Sequence, residues 1–281
     1  MIPAAFEYLR PRTLEEAVAL LELHGDDAKL LAGGHSLIPA MKLRLAQPKT
    51  LIDIGRVGDL SYIRDQGGKI AIGAMTTHYD VESSALLGDK CPLLPEVASQ
   101  IGDVQVRNRG TIGGSLVHAD PAADWPAAIL ALDAEMEIAG PNGRRTVNAA
   151  DFFVDMMQSA VHWNEILCEV RVPFTARSVA YVKIAQRASG FAIAGVAAVV
   201  EKQDKRVRIG ITGVAPKAYR AVGVEDALRG KALTAETIVE AAAKASDEIE
   251  TLNDIHASAE FRAHLAIVNT RRALKLASSR A

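Results

Sequence analysis

A chain of 281 residues in which 49% are hydrophobic is long enough for about two domains and buries a sizeable core. Its 32 Lys and Arg nearly cancel its 34 Asp and Glu, so the net charge of -2 leaves no basic surplus for nucleic acid or acidic lipid. The 2 cysteines, Cys91 and Cys168, form no CxxC or Cys/His cluster, which excludes a zinc site or an iron–sulfur cluster built from this chain alone and reads as buried thiols in a reducing compartment.

The opening MIPAAFEYLRP lacks the charged and then apolar order of a secretory signal, and no apolar run approaches transmembrane length, so the expectation is a cytoplasmic protein. TLEEAVALLELHG (13–25) predicts a helix, with Thr13 and Glu16 as a capping box, Leu14, Ala17, Val18 and Leu21 at helical spacing, and Gly25 past the end. KLLA then predicts a short strand running into AGGHS (32–36), followed by a helical turn and a buried strand at TLIDI (50–54). The first lobe is therefore small and βαβ-like, over about 1–55.

In the second lobe, 56–176, GKIAIGAM (68–75) predicts a strand, and helical segments follow around 77–86 and 93–101. A second glycine stretch, GTIGGSL (110–116), comes next. AADWPAAILALDAEMEIAG predicts a helix running into a strand that closes at the PNG turn (141–143), and ILCEVRVPF (166–174) predicts the strand that finishes the lobe. From Val179 the texture changes to the strands YVKIAQ, FAIAGVAAVVEK and RVRIGITGV. Helices follow at about 218–228, 234–249 and 258–277, with arginines near the last end where they suit the helix dipole. Strands followed by helices indicate a separate α+β domain over 177–281.

Both glycine stretches pair adjacent glycines with a hydroxyl residue. The oxygens of a pyrophosphate need several donors at once, and backbone N–H groups approach them closely only where side chains are absent. Ser36 and Thr111 add hydroxyls, and a following helical turn would aim further N–H dipoles at the anion. Neither stretch contains Lys or Arg, and neither fits the P-loop or the GxGxxG dinucleotide fingerprint. A Gly pair taken singly is most often a turn or bulge; the occurrence of two points to one ligand held jointly.

AGGHSLIP (32–39) and TIGGSLVHADPAADWPA (111–127) resemble the FAD-binding medium subunits of the molybdenum hydroxylases, the aerobic carbon monoxide dehydrogenase and xanthine dehydrogenase family. FEYLRP, LIDI (51–54), IGAMTTH (72–78), QVRNRGTIGG (105–114) and DIHASAEFRAHL (254–265) extend the resemblance over nearly the whole chain. It implies an α+β protein: a two-lobed, vanillyl-alcohol-oxidase-like (PCMH-type) FAD-binding domain followed by a C-terminal α+β domain with a small antiparallel sheet and helices. By motif position, Ala32, Gly33, Gly34, His35, Ser36 and Leu37 would form the first pyrophosphate segment, and Thr111, Gly113, Gly114 and Ser115 the second. Ser115 stands where many relatives have Asn. Asp124 would accept from ribityl or ribose hydroxyls, Leu167 and Lys183 would lie against the isoalloxazine ring, and Ile101 would pack on the flavin. A cation at Lys183 would tune the cofactor's potential.

The resemblance also implies partners: a large subunit with the molybdenum cofactor and a small subunit with two 2Fe–2S clusters, expected as a dimer of heterotrimers that passes electrons through FAD to an external acceptor. Simpler readings of single residues stand beside these. His35 reads as an exposed loop residue whose backbone matters more than its ring. Asp120 reads as a turn or a cap to a helix beginning near Ala122, and Lys183 as a solvated lysine on an outward strand face. Phe191, at the start of an apolar strand, reads as core. His118, Asp120 and Asp124 fall short of a metal ligand set, and no Ser/His/Asp or Cys/His spacing supports hydrolysis, so no catalytic side chain is expected. The alternatives to an electron-transfer subunit are a self-contained flavin reductase and a non-enzymatic nucleotide-binding assembly module.

Overall fold

The computed structural model describes residues 1–201 and 203–280; Lys202, at the end of the predicted strand FAIAGVAAVVEK, and Ala281 lie outside the described residues. The chain opens with β1 (Glu7–Leu9) and α1 (Leu14–His24), followed by β2 (Ala28–Leu31), α2 (Leu37–Lys42) and β3 (Thr50–Asp53). β3 lies between β1 and β2 and is parallel to both. Thr13 caps α1 by accepting from Glu16 N at 3.1 Å, but Glu16 Oε2 accepts from Arg12 N, so the capping box is only half made. Ala17, Val18 and Leu21 turn inward with Ile52 and Ile54, and this small core continues into Ala139, Ile166 and Cys168 of the second lobe.

The second lobe runs through β4 (Ile63–Asp65), β5 (Lys69–Gly73), α3 (His78–Ser83), α4 (Ala85–Lys90), α5 (Leu93–Ala98), α6 (Val104–Arg107), α7 (Ile112–His118) and α8 (Trp125–Ala131). It continues with β6 (Glu135–Gly140), β7 (Gly143–Asn148), α9 (Ala149–Phe152), β8 (Phe153–Asp155), β9 (Gln158–Ser159) and β10 (Ile166–Pro173). Its main sheet is antiparallel in the order β4-β5-β10-β6-β7, with the apolar β10 in the middle. The single helix expected over 77–86 is two, because Ser84 takes an extended backbone, ends α3, and caps α4 by accepting from Leu87 N at 3.2 Å. Both cysteines are buried and free; burial pushes the Cys91 thiol up to about 12 and the Cys168 thiol to about 11.

The C-terminal part consists of β11 (Val179–Ala185), β12 (Ala192–Glu201), β13 (Arg206–Thr212), β14 (Tyr219–Arg220), α10 (Val222–Leu228), α11 (Ala235–Ala242) and α12 (Ala259–Ser279). Its four strands form one antiparallel sheet in chain order. Successive side chains of a strand face opposite sides. Ala180, Ala194, Val196, Ala198, Ile209 and Ile211 therefore pack against α10 to α12, while Val179, Tyr181, Ala197 and Val199 join the core of the preceding lobe. α8 lies on that second face so closely that a Cβ on Gly210 would collide with the Ala127 carbonyl. The last helix carries no basic residue in its final turn. Arg280, just beyond it, instead donates to Val179 O at 2.8 Å and pairs with Glu96.

Candidate functional site

The two glycine stretches meet. A Cβ on Gly33 would run into the Arg109 carbonyl and lie 2.8 Å from Gly110 Cα, and one on Gly114 would lie 3.4 Å from Ala32 Cβ. The first stretch, between β2 and α2, turns through a left-handed backbone at Gly34, with φ +78°, which glycine adopts without a steric penalty. Ile38 N donates to Gly34 O at 3.0 Å, and His35 Nδ1 lies 3.1 Å from Gly33 O. Among the described residues, the backbone N–H groups from Gly33 to Leu37 find no acceptor within the chain. His35 and Ser36 are exposed, and the Ser36 hydroxyl caps nothing in α2.

The second stretch is not a loop. Thr111 is the N-cap of α7, and the glycine pair occupies the helix's first turn. Its amides are already engaged: Ile112 N on Thr76 O at 3.0 Å, Gly113 N on Ala74 O at 2.9 Å, Gly114 N on Thr111 Oγ1 at 3.1 Å, and Ser115 N on Thr111 O at 3.1 Å. The expectation that both stretches present free amides therefore holds only for the first. Gly113 is small because α7 presses onto the chain after β5, where a Cβ would lie 2.6 Å from Ala74 O. Thr111, three residues ahead of Gly114, was the local sign of a helix start.

Asp124 and Lys183, 59 residues apart in sequence, form a buried ion pair at 2.9 Å with each side chain 5% exposed. Tyr181, absent from the sequence-based site, donates to Asp124 Oδ1 at 2.5 Å. The Lys183 ammonium also donates to Gln100 O at 2.7 Å and Gly190 O at 2.8 Å, so the reading of Lys183 as a solvated lysine is corrected. Burial raises the carboxyl of Asp124 above its ordinary value against the lowering effects of Lys183 and Tyr181, and burial and Asp124 push the Tyr181 phenol well up. Lys183 thereby draws the turn at Gln100 and Ile101 toward that at Gly190, whose Cβ would lie 3.6 Å from Gly102 Cα. Phe191, the next residue, is 43% exposed rather than core.

Ile101 is half-buried against the main core, and Leu167 is buried in β10 where the strand bulges before Glu169. Asp120 makes a turn, its Oδ1 accepting from Ala122 N at 2.8 Å, and α8 begins at Trp125 rather than near Ala122. Among the described residues, no group of three or more His, Cys, Asp or Glu side chains is placed to hold a metal. His78 and Trp125, also absent from the sequence-based site, are buried beside the second stretch and bonded to each other at 3.1 Å.

Residues 4–175 match the family described as the FAD binding domain in molybdopterin dehydrogenase, and residues 179–277 match the CO dehydrogenase flavoprotein C-terminal domain. The chain is 45% identical over 285 residues to the carbon monoxide dehydrogenase medium chain of Hydrogenophaga pseudoflava, covering 100% of this chain and 99% of the relative. It is 36% identical over 279 residues to the nicotine 6-hydroxylase medium subunit of Paenarthrobacter nicotinovorans, covering 98% of each. In the solved carbon monoxide dehydrogenase from Hydrogenophaga pseudoflava that lacks the Mo-pyranopterin moiety, one chain matches with a TM-score of 0.96 at 46% identity, over 100% of both chains. Fold and matches together define a flavoprotein with a two-lobed FAD-binding domain and a C-terminal α+β part. The chain belongs to the FAD-binding medium subunits of the molybdenum hydroxylases, the family of carbon monoxide dehydrogenase and xanthine dehydrogenase, and is an oxidoreductase subunit.

Proposed function

We propose that the chain holds FAD with its pyrophosphate on the amides of Gly33 to Leu37. It relays electrons from 2Fe–2S clusters on a small partner subunit to an external acceptor, while a large partner subunit carries the molybdenum cofactor. The observation that carries this reading is the contact between the two glycine stretches: a side chain on Gly33 would collide with the Arg109 carbonyl and Gly110, Gly114 packs beside Ala32, and the amides of the first stretch remain uncommitted. With no Lys or Arg in either stretch, main-chain dipoles and the Ser36 and Thr111 hydroxyls meet the diphosphate charge. When bound, FAD accepts electrons singly and releases them in pairs.

Each remaining residue has a part in this reading. Asp124 and Lys183 fix the turn carrying Ile101 at the flavin's edge, Leu167 supplies an apolar wall, and Ser115 offers a hydroxyl at the second stretch. The two cysteines leave the clusters to a partner chain. The assembly is a dimer of heterotrimers in the cytoplasm, and no helix among the described residues is long and apolar enough to cross a membrane.

Native purification of the expressed gene cluster, with absorption spectra and mass spectrometry, tests the proposal. The expected result is a yellow protein with two further chains, whose flavin bleaches when the complex meets its substrate. A yellow chain that turns over a substrate alone would make it a reductase, and a colourless chain stable without FAD would make it an assembly module.

A further inference from the structure

His78, the first residue of α3, is buried beside the second glycine stretch. Trp125 Nε1 donates to His78 Nδ1 at 3.1 Å, so the neutral ring carries its proton on Nε2. The Nε2 edge supports the second glycine stretch: a Cβ on Gly110 would lie 2.7 Å from Nε2, and His78 N donates to Gly110 O at 2.9 Å. Thr77 and Thr111, the neighbouring residues, form a β-bridge. One imidazole thus joins the stretch that touches Gly33 to the start of α8, where Trp125 directly follows Asp124.

We propose that His78 is a positioning residue of the flavin site: as a neutral imidazole it holds the 110–114 stretch and the Asp124–Trp125 helix start in register, and its protonation releases FAD. A proton on Nδ1 removes the only acceptor of the Trp125 indole among the described residues and places a cation in a buried space. Among the described residues, no carboxylate hydrogen-bonds to that ring. Burial first, then His35 and Arg107, hold the His78 imidazole down at about 4. On its own helix, Asp80 is engaged by the Thr77 hydroxyl at 2.6 Å and Glu82 by Arg107 at 2.7 Å. Glu96 of α5 accepts from Tyr181 N at 2.9 Å, and Asp124 is taken by Tyr181 and Lys183.

This inference rests on the flavin reading above, and its test separates the two. The affinity of the full chain for FAD is measured by flavin fluorescence across a falling pH series, with far-UV circular dichroism recorded in parallel, for the wild type, His78→Asn and His78→Leu. Asn places Oδ1 where Nδ1 stands and takes up no proton. The wild type is expected to stay yellow at neutral pH and to release FAD as pH falls toward about 4, before its helical signal is lost. His78→Asn is expected to bind within about threefold of wild type and to keep FAD until it unfolds, while His78→Leu, which strands the indole N–H, binds at least roughly tenfold more weakly. FAD release from His78→Asn at the wild-type pH, or a folded His78→Leu with wild-type affinity, overturns the proposal; if His78→Leu does not fold, His78→Asn decides. A wild type that binds no FAD at any pH sinks the flavin reading and this inference together, whereas a yellow wild type with either contrary variant result sinks the inference alone.

Discussion

A single methyl group at Gly33 would occupy the place of the Arg109 carbonyl, and backbone, unlike a side-chain tip, has little room to yield. Gly33→Val should therefore give folded protein without flavin, and Gly114→Val should do the same by displacing the Thr111 hydroxyl, 2.8 Å from the new Cβ. The ratio of absorbance at 450 nm to 280 nm reports both, and full flavin occupancy in the two variants would refute the shared cradle. Lys183→Met leaves Asp124 as a buried, uncompensated carboxylate, which costs about 3–5 kcal/mol of stability at alkaline pH. Because Asp124 already has a raised carboxyl, the sign of the pH effect follows. In the variant the folded state binds the proton more tightly than the unfolded state, so stability is regained as pH falls through the raised value. Urea midpoints at two pH values measure this. FAD should remain bound with a lower reduction potential, because the variant leaves the negative member of the pair unopposed at the flavin's edge, and an unchanged potential would place the Asp124–Lys183 pair away from the flavin.

At the scale of elements, α7 decides how the second glycine stretch is used. Its seven residues gain little from helix propagation alone, so the Thr111 cap and the packing of Gly113 on Ala74 hold it. Thr111→Ala is expected to lower stability by about 1 kcal/mol and to speed FAD dissociation, with stopped-flow flavin fluorescence as the measure; an unchanged dissociation rate would uncouple the cap from the site. The elements themselves were legible in local pattern. The strand expected at YVKIAQ and the helix expected over 13–25 appear as β11 and α1. Local pattern failed where one residue served two elements, as Ser84 does between α3 and α4, and where a glycine pair looked like a loop but lay behind a capping threonine.

For the whole molecule, the C-terminal sheet completes the core of the FAD-binding lobe on one face and its own helical core on the other. Gly210→Ala should therefore act beyond its own strand: it forces β13 off α8, lowers stability by about 1–3 kcal/mol, and loosens the Thr212 hydroxyl from Pro121 O and Ala123 O, which now lie 2.9 and 2.7 Å away. A thermal midpoint and flavin loss that move together would bear this out, whereas a stability loss with unchanged flavin affinity would confine the effect to the C-terminal part.

The sequence by itself determined the periodic elements, the two side-chain-free stretches and the family they belong to, because these are written in neighbouring residues. Only the tertiary structure decided which amides remain free, and that His78 meets Trp125 and Lys183 meets Asp124. Those pairings join residues 47 and 59 positions apart. Burial creates them by taking each group's water away and leaving a distant side chain as its partner, a cause that leaves no mark in the local order of residues.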